Sequence, residues 1–141
     1  MSYSILIVDD SLPMRSVIKR TLNAAGYGKS EMLEAANGQE AIDIMEKSWI
    51  DIVITDYNMP MMDGLAFIKT IKSAELSKDI PVVVISTAGN ESKIKEFMDC
   101  GATGYITKPF SAEEIRDLLV KILGEVNYED DVDDGNQDFD F

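Results

Sequence analysis

The chain has 141 residues, 45% of them hydrophobic and 28% charged, which fits one compact domain with a substantial core. It has no histidine and one cysteine, Cys100. Ser-His-Asp and Cys-His catalysis, His-ligated zinc, a phosphohistidine on this chain and an internal disulfide are therefore excluded. The formal charge of −13, without any basic patch, argues against direct nucleic-acid binding. No apolar run is long enough to cross a bilayer, and Met1-Ser2-Tyr3-Ser4 lacks the basic region of a secretory signal, so a cytoplasmic protein with no membrane insertion is expected.

Short β-rich apolar runs alternate along the chain with amphipathic stretches. Ile5-Leu6-Ile7-Val8 reads as a first strand that stops at Asp9-Asp10. Ser11 can cap the helix that follows, Pro13 suits its first turn, and Met14, Val17, Ile18 and Leu22 recur at helical spacing until Gly26 and Gly28 end it. Glu31–Ala35 is a weaker second strand, and Asn37 caps a helix carrying Ala41, Ile42 and Met45. The third strand, Ile52-Val53-Ile54-Thr55, again ends on an acid, Asp56. A loop with Pro60 and Gly64 leads to a helix whose apolar positions are Leu65, Ile68 and Ile71. Pro81-Val82-Val83-Val84-Ile85 is the fourth strand, stopping at Ser86-Thr87, and residues 91–100 form a helix expected to bury Ile94, Phe97 and Met98. Tyr105-Ile106-Thr107 is the fifth strand, ahead of Lys108-Pro109. Ser111 and Glu114 make a capping box for a last helix burying Ile115, Leu118, Leu119 and Ile122, closed by Gly124.

Five strand–helix repeats with nearly continuous apolar strands predict an α/β domain over residues 1–124, built on a parallel sheet covered on both faces. Right-handed crossovers make it an open doubly wound sheet, and ligands of such sheets sit beyond the carboxyl ends of the strands. Those ends carry Asp9 and Asp10, Asp56, Ser86 and Lys108. Neighbouring carboxylates raise one another's pKa unless a cation sits among them, and the oxygen-only donor set favours Mg²⁺, or Mn²⁺, over zinc. Lys108 supplies a point charge for a phosphate and the Ser86 hydroxyl a donor. Singly, each residue reads as a turn, a cap or a solvated charge. Together they are the parts of a phosphoryl-transfer site.

The segments Ile7-Val8-Asp9-Asp10-Ser11, Asp56-Tyr57-Asn58-Met59-Pro60-Met61-Met62-Asp63-Gly64, Val84-Ile85-Ser86-Thr87-Ala88 and Gly101–Phe110 closely resemble response-regulator receiver domains. The resemblance spans about residues 4–124. It implies the flavodoxin-like strand order 2-1-3-4-5 and Asp56 as phospho-acceptor. It also implies Mg²⁺ held directly by Asp10, Asp56 and the Asn58 backbone carbonyl, with Asp9 assisting through water. Ser86 corresponds to the family's switch hydroxyl, Lys108 to its lysine, Tyr105 to its aromatic switch residue, and Pro109 to a cis-proline. Such a protein is a switch that catalyses only its own phosphorylation and dephosphorylation. The phosphate comes from a histidine kinase or phosphotransfer protein, and output runs through a partner bound to the face of the fourth helix, fifth strand and fifth helix. Because no effector domain follows, a stand-alone receiver of the chemotaxis type is expected.

Two other readings compete. A haloacid-dehalogenase-type phosphatase shares the Asp nucleophile, hydroxyl, Lys and Mg²⁺, but needs an acid two residues after the nucleophile, where this chain has Asn58. A flavodoxin needs a Ser/Thr/Gly-rich phosphate loop after the first strand, where this chain has Asp9-Asp10-Ser11. Residues 125–141 hold eight of the 26 acids and no Lys or Arg, leaving 18 acids against 13 bases in the rest. This run reads as a solvated, disordered tail, with Tyr128, Val132, Phe139 and Phe141 leaving open a docking role on the switch face near Lys93, Lys95 and Tyr105.

Overall fold

Runs of Val and Ile stiff at χ1 favour extended backbone, and here each such run becomes a strand. The computed structural model describes residues 3–57, 64–87 and 91–124. Its strands are β1 (Ser4–Val8), β2 (Glu31–Ala35), β3 (Ile52–Asp56), β4 (Val82–Thr87) and β5 (Gly104–Lys108). The helices are α1 (Leu12–Leu22), α2 (Gly38–Lys47), α3 (Gly64–Ser73), α4 (Glu91–Asp99) and α5 (Ala112–Leu123). All strand pairs are parallel, in the order β2-β1-β3-β4-β5, as the resemblance implies.

Side chains alternate across each strand, so every inner strand feeds two cores. Leu6, Val8, Val53, Val82 and Val84 pack on one side with Phe67, Ile68, Ile71 and Phe97 of α3 and α4. Ile5, Ile7, Ile52, Ile54, Val83 and Ile85 pack on the other with Ile18, Leu22, Ile115 and Leu119 of α1 and α5. The inner strands are buried on both faces, which is why their sequences show no polar alternation.

The predicted caps form: the Ser11 hydroxyl accepts from Met14 N–H, the Asn37 side chain from Glu40 N–H, and Ser111 with Glu114 completes a capping box. Four local expectations change. In α5 only Ile115 and Leu119 are fully buried, with Leu118 and Ile122 partly so. Met98 is 38% exposed and Ile94 only partly buried, because α4 turns Phe97 alone fully inward, one position and about 100° round the helix from Met98. In α3 Phe67 joins Ile68 and Ile71 in the core, while Leu65 is partly buried. The first helix runs on into a π-helical turn, Asn23–Tyr27, inside which Gly26 at φ 103° breaks the helical backbone. Among the described residues no helix is long and apolar enough to cross a membrane.

Candidate functional site

The parallel register assembles the site. Val8 pairs with Thr55, so the next residues along, Asp9 and Asp56, lie side by side at the carboxyl ends of β1 and β3. Asp56 pairs with Ile85, which sets Ser86 just beyond it on the other flank. Ser86 pairs with Thr107 and Thr87 with Lys108, bringing the lysine to the same edge. Carboxylate oxygens of Asp9, Asp10 and Asp56 all lie within 4.8 Å of one another. Gly64 lets the chain return tightly over this edge. Its N–H donates to the Tyr57 carbonyl at 3.0 Å, and a Cβ there would meet the Tyr57 Cα and carbonyl oxygen at 2.8 Å.

The three acids differ in environment. Asp10 is exposed, Asp56 partly buried, and Asp9 only 2% exposed. The Asp9 carboxylate accepts from Ser11 N–H through Oδ1 at 2.9 Å, while its Oδ2 is buried without a partner among the described residues. Burial pushes the Asp9 carboxyl above its ordinary value, and the Asp10 charge adds to this. The Ser11 N–H and the Lys108 charge pull the other way without cancelling it. The three carboxylates could together hold a hard cation, and their all-oxygen donor set fits Mg²⁺.

Two consecutive hydroxyls end β4, and the structure distinguishes them. Ser86 is buried, with an Oγ that has no partner among the described residues, whereas Thr87 is exposed. Thr55, fully buried behind the site, donates to the Asp56 carbonyl at 3.0 Å. The Lys108–Pro109 peptide is cis. Tyr105 is 47% exposed on the edge strand β5, beside a groove of about 380 Å³ bounded by Thr107, Leu118 and Lys121. Asn58, expected to offer its carbonyl to the metal, lies outside the described residues, as do Pro60, Asp63, Ala88 and the tail 125–141.

One supporting residue escapes a reading of strand ends. Arg15, one turn into α1, donates from Nη1 to the Asp9 carbonyl at 2.6 Å and from Nε to Glu34 Oε1 at 2.8 Å. Lys19 donates to the other Glu34 oxygen at 2.9 Å, and the two cations hold the Glu34 carboxyl below its ordinary value. Asp9 is thus fixed from three sides: Arg15 on its carbonyl, Ser11 on Oδ1, and its own N–H on the Ala35 carbonyl at 3.1 Å. A basic residue four positions after a helix cap that follows an acidic strand end was the available signal.

A family model described as "Response regulator receiver domain" matches residues 5–120. A Campylobacter jejuni protein named "Chemotaxis protein CheY homolog" is 36% identical over 121 residues, covering 85% of this chain and 92% of its own. The Vibrio cholerae "Chemotaxis protein CheY-3" is 38% identical over 119 residues, 84% of this chain and 90% of its own. The crystal structure of Vibrio cholerae chemotaxis protein CheY4 superposes with a TM-score of 0.77 at 34% identity, covering 86% of this chain and 99% of that one.

Proposed function

The chain belongs to the response regulator receiver family, a family of phosphorylation-activated signalling proteins, and we propose that its phospho-acceptor is Asp56 and its metal Mg²⁺. The observation that carries the proposal is the flanking of Asp56. On one side, at the end of β1, stands a buried Asp9 oxygen lacking a partner among the described residues; on the other, at the end of β4, stands the Ser86 hydroxyl in the same condition. Both become satisfied if a metal and a phosphoryl group occupy the edge.

In this reading an Asp56 carboxylate oxygen attacks phosphorus while the bond from phosphorus to the donor's imidazole nitrogen breaks. The donor histidine belongs to a kinase or phosphotransfer protein, since this chain has none. Asp10, Asp56 and the Asn58 carbonyl hold the metal, and Asp9 assists. Mg²⁺, when bound, supplies positive charge against the transferring oxygens. Lys108 offsets the remaining negative charge, and Ser86 donates to a phosphoryl oxygen. The added charge of about −1.5 to −2 draws Ser86 toward it, and Tyr105 follows into the space behind. The face of α4, β5 and α5 then changes for an output protein. Relatives named as chemotaxis proteins make a chemotaxis-type output in the cytoplasm the favoured pathway.

Intact mass after incubation with acetyl phosphate tests the acceptor. Wild type should gain one phosphate in Mg²⁺ and none in EDTA, and Asp56→Asn should gain none in either. Undiminished labelling of that variant would overturn the assignment.

A further inference from the structure

The edge of the sheet opposite the acidic cluster carries an uncovered apolar surface. Trp49, just before β3, is 79% exposed, and Leu76, between α3 and β4, is 92% exposed. These are the two most exposed large hydrophobics among the described residues. They border two adjoining hollows, of about 260 and 510 Å³, that share Met45, Glu46 and Leu76. The Trp49 ring is held in place: its indole N–H donates to Asp51 Oδ1 at 2.8 Å, and Asp51 Oδ2 accepts from Ser4 N–H at 2.8 Å. A cavity of about 150 Å³ accommodates a benzene ring, so the smaller hollow can take one large apolar side chain.

Charge decides what kind of chain would bring that side chain. Glu46, Glu75, Asp51 and Asp79 line the two hollows, against Lys47 alone among the basic residues. Lys78 nearby pairs with Glu75 at 3.1 Å, and Lys72 turns its ammonium inward, donating to the Lys78 and Ile80 carbonyls at 3.1 and 2.8 Å. Lys72 acts on Asp79 through its charge but makes no direct ion pair with it, and among the described residues neither cation pairs with Glu46. A second copy would set the same acidic groove, and a net charge of −13, against its like. The chain's own residues 125–141 carry eight acids and no base.

We propose that the Trp49–Leu76 groove docks a basic amphipathic segment of another protein, one large apolar side chain entering the hollow while flanking Lys or Arg meet Glu46 and the exposed Asp79. The strands are five or six residues long, so the groove stands roughly 16–20 Å from the acidic cluster. A partner there leaves the site edge open, and the inference does not depend on phosphoryl chemistry. The apolar contact supplies most of the affinity and the charges most of the selectivity.

Trp49 is the only tryptophan, so its emission in the full-length protein reads the groove directly. The probes are a synthetic amphipathic helical peptide of Leu and Lys and its counterpart with Glu at every Lys. The free protein should emit as an exposed indole. The Lys peptide should shift the emission to the blue saturably and weaken with added salt, and the Glu peptide should leave it unmoved. Leu76→Ser, at a position too exposed to upset folding, should weaken the Lys peptide at least about tenfold. No shift, an equal shift with the Glu peptide, or undiminished affinity in Leu76→Ser overturns the proposal. A blue shift that grows with protein concentration alone would assign the face to a second copy. A buried-type emission in the free protein would assign it to the chain's own tail.

Discussion

Asp9→Asn should make the metal-free protein more stable. In the wild type a carboxylate only 2% exposed keeps Oδ2 without a partner among the described residues, beside two further carboxylates. Leaving a buried acceptor unsatisfied costs about 1–3 kcal/mol, and more when it is charged. Asn keeps an oxygen for the Ser11 N–H, removes the charge, and presents two N–H donors to Asp10 and Asp56. A gain of about 1–3 kcal/mol at pH 7 is expected, with a melting temperature higher by roughly 4 °C per kcal/mol. The pH dependence identifies the cause. Burial raises the folded-state pKa of Asp9 above 3.8, so the folded protein holds the proton more tightly than the unfolded chain. The cost is absent below pH 3.8, grows as pH rises through the folded value, and is complete above it. Mg²⁺ should reverse the order: at a hundred times Kd a bound ion adds about 2.7 kcal/mol to the wild type, and less to a variant that binds it weakly. Urea unfolding in EDTA and in Mg²⁺, from pH 3.5 to 7.5, reads all three effects. A variant less stable than wild type in EDTA at pH 7, or a difference that does not change with pH, would refute the reasoning.

Arg15→Ala should cost about 1–3 kcal/mol and weaken Mg²⁺, while Arg15→Lys restores charge without the two-pronged geometry and recovers only part; urea unfolding and calorimetry separate the two losses. The Glu34 share of that cost should be present above pH 4.5 and fade as pH falls through the lowered folded value, because the paired carboxylate stabilises only while ionised. Ser86→Ala should leave the unphosphorylated fold as stable as wild type or slightly more so, since it deletes a buried hydroxyl without a partner, yet slow the Mg²⁺-dependent phosphate gain measured by intact mass. Asp10→Ala should weaken Mg²⁺ more than Asp9→Ala, and calorimetric titrations giving the reverse order would place Asp9 in direct contact. Phe67→Ala should cost about 3–5 kcal/mol in chemical unfolding, because its ring is wholly buried against the sheet.

The sheet was legible because β1, β3 and β4 are buried on both faces and so wrote themselves as unbroken apolar runs. The same continuity made Asp9 and Asp56 conspicuous, each being the first charge after such a run, with Asp10 next to Asp9; Lys108 closes the shorter run of the edge strand. Legibility ended where the outcome depends on the angle between elements. That Arg15 reaches both the Asp9 carbonyl and Glu34 depends on how α1 crosses β1 and β2, and no periodicity encodes that crossing. Ser86 was readable as the hydroxyl at the end of the fourth strand; what the structure adds is that the sheet buries it and leaves Thr87 exposed. Trp49 and Leu76 defeat composition outright: an apolar residue type raises the chance of burial but never requires it.

Orphaned buried groups could arise anywhere in a fold, so their positions carry information. More than nine buried polar groups in ten normally find a partner. Among the described residues three buried side-chain atoms do not: Asp9 Oδ2, Ser86 Oγ and Tyr27 Oη. Tyr27 closes the π-helical turn, its ring against Tyr3, and concerns how that turn packs on α5. Of the other two, Asp9 sits just beyond β1 and Ser86 near the carboxyl end of β4, the two strands that flank β3, and β3 ends on Asp56. One is an acceptor and one carries a hydroxyl proton. In the proposed reading a phosphoryl group on Asp56 would use that pair: an anionic oxygen that helps hold a cation on one side and a donor on the other. Filling either position with an apolar residue would relieve the fold. That both keep their oxygen, at a cost the two hydrophobic cores must offset, is the strongest physical argument that this edge exists to be occupied.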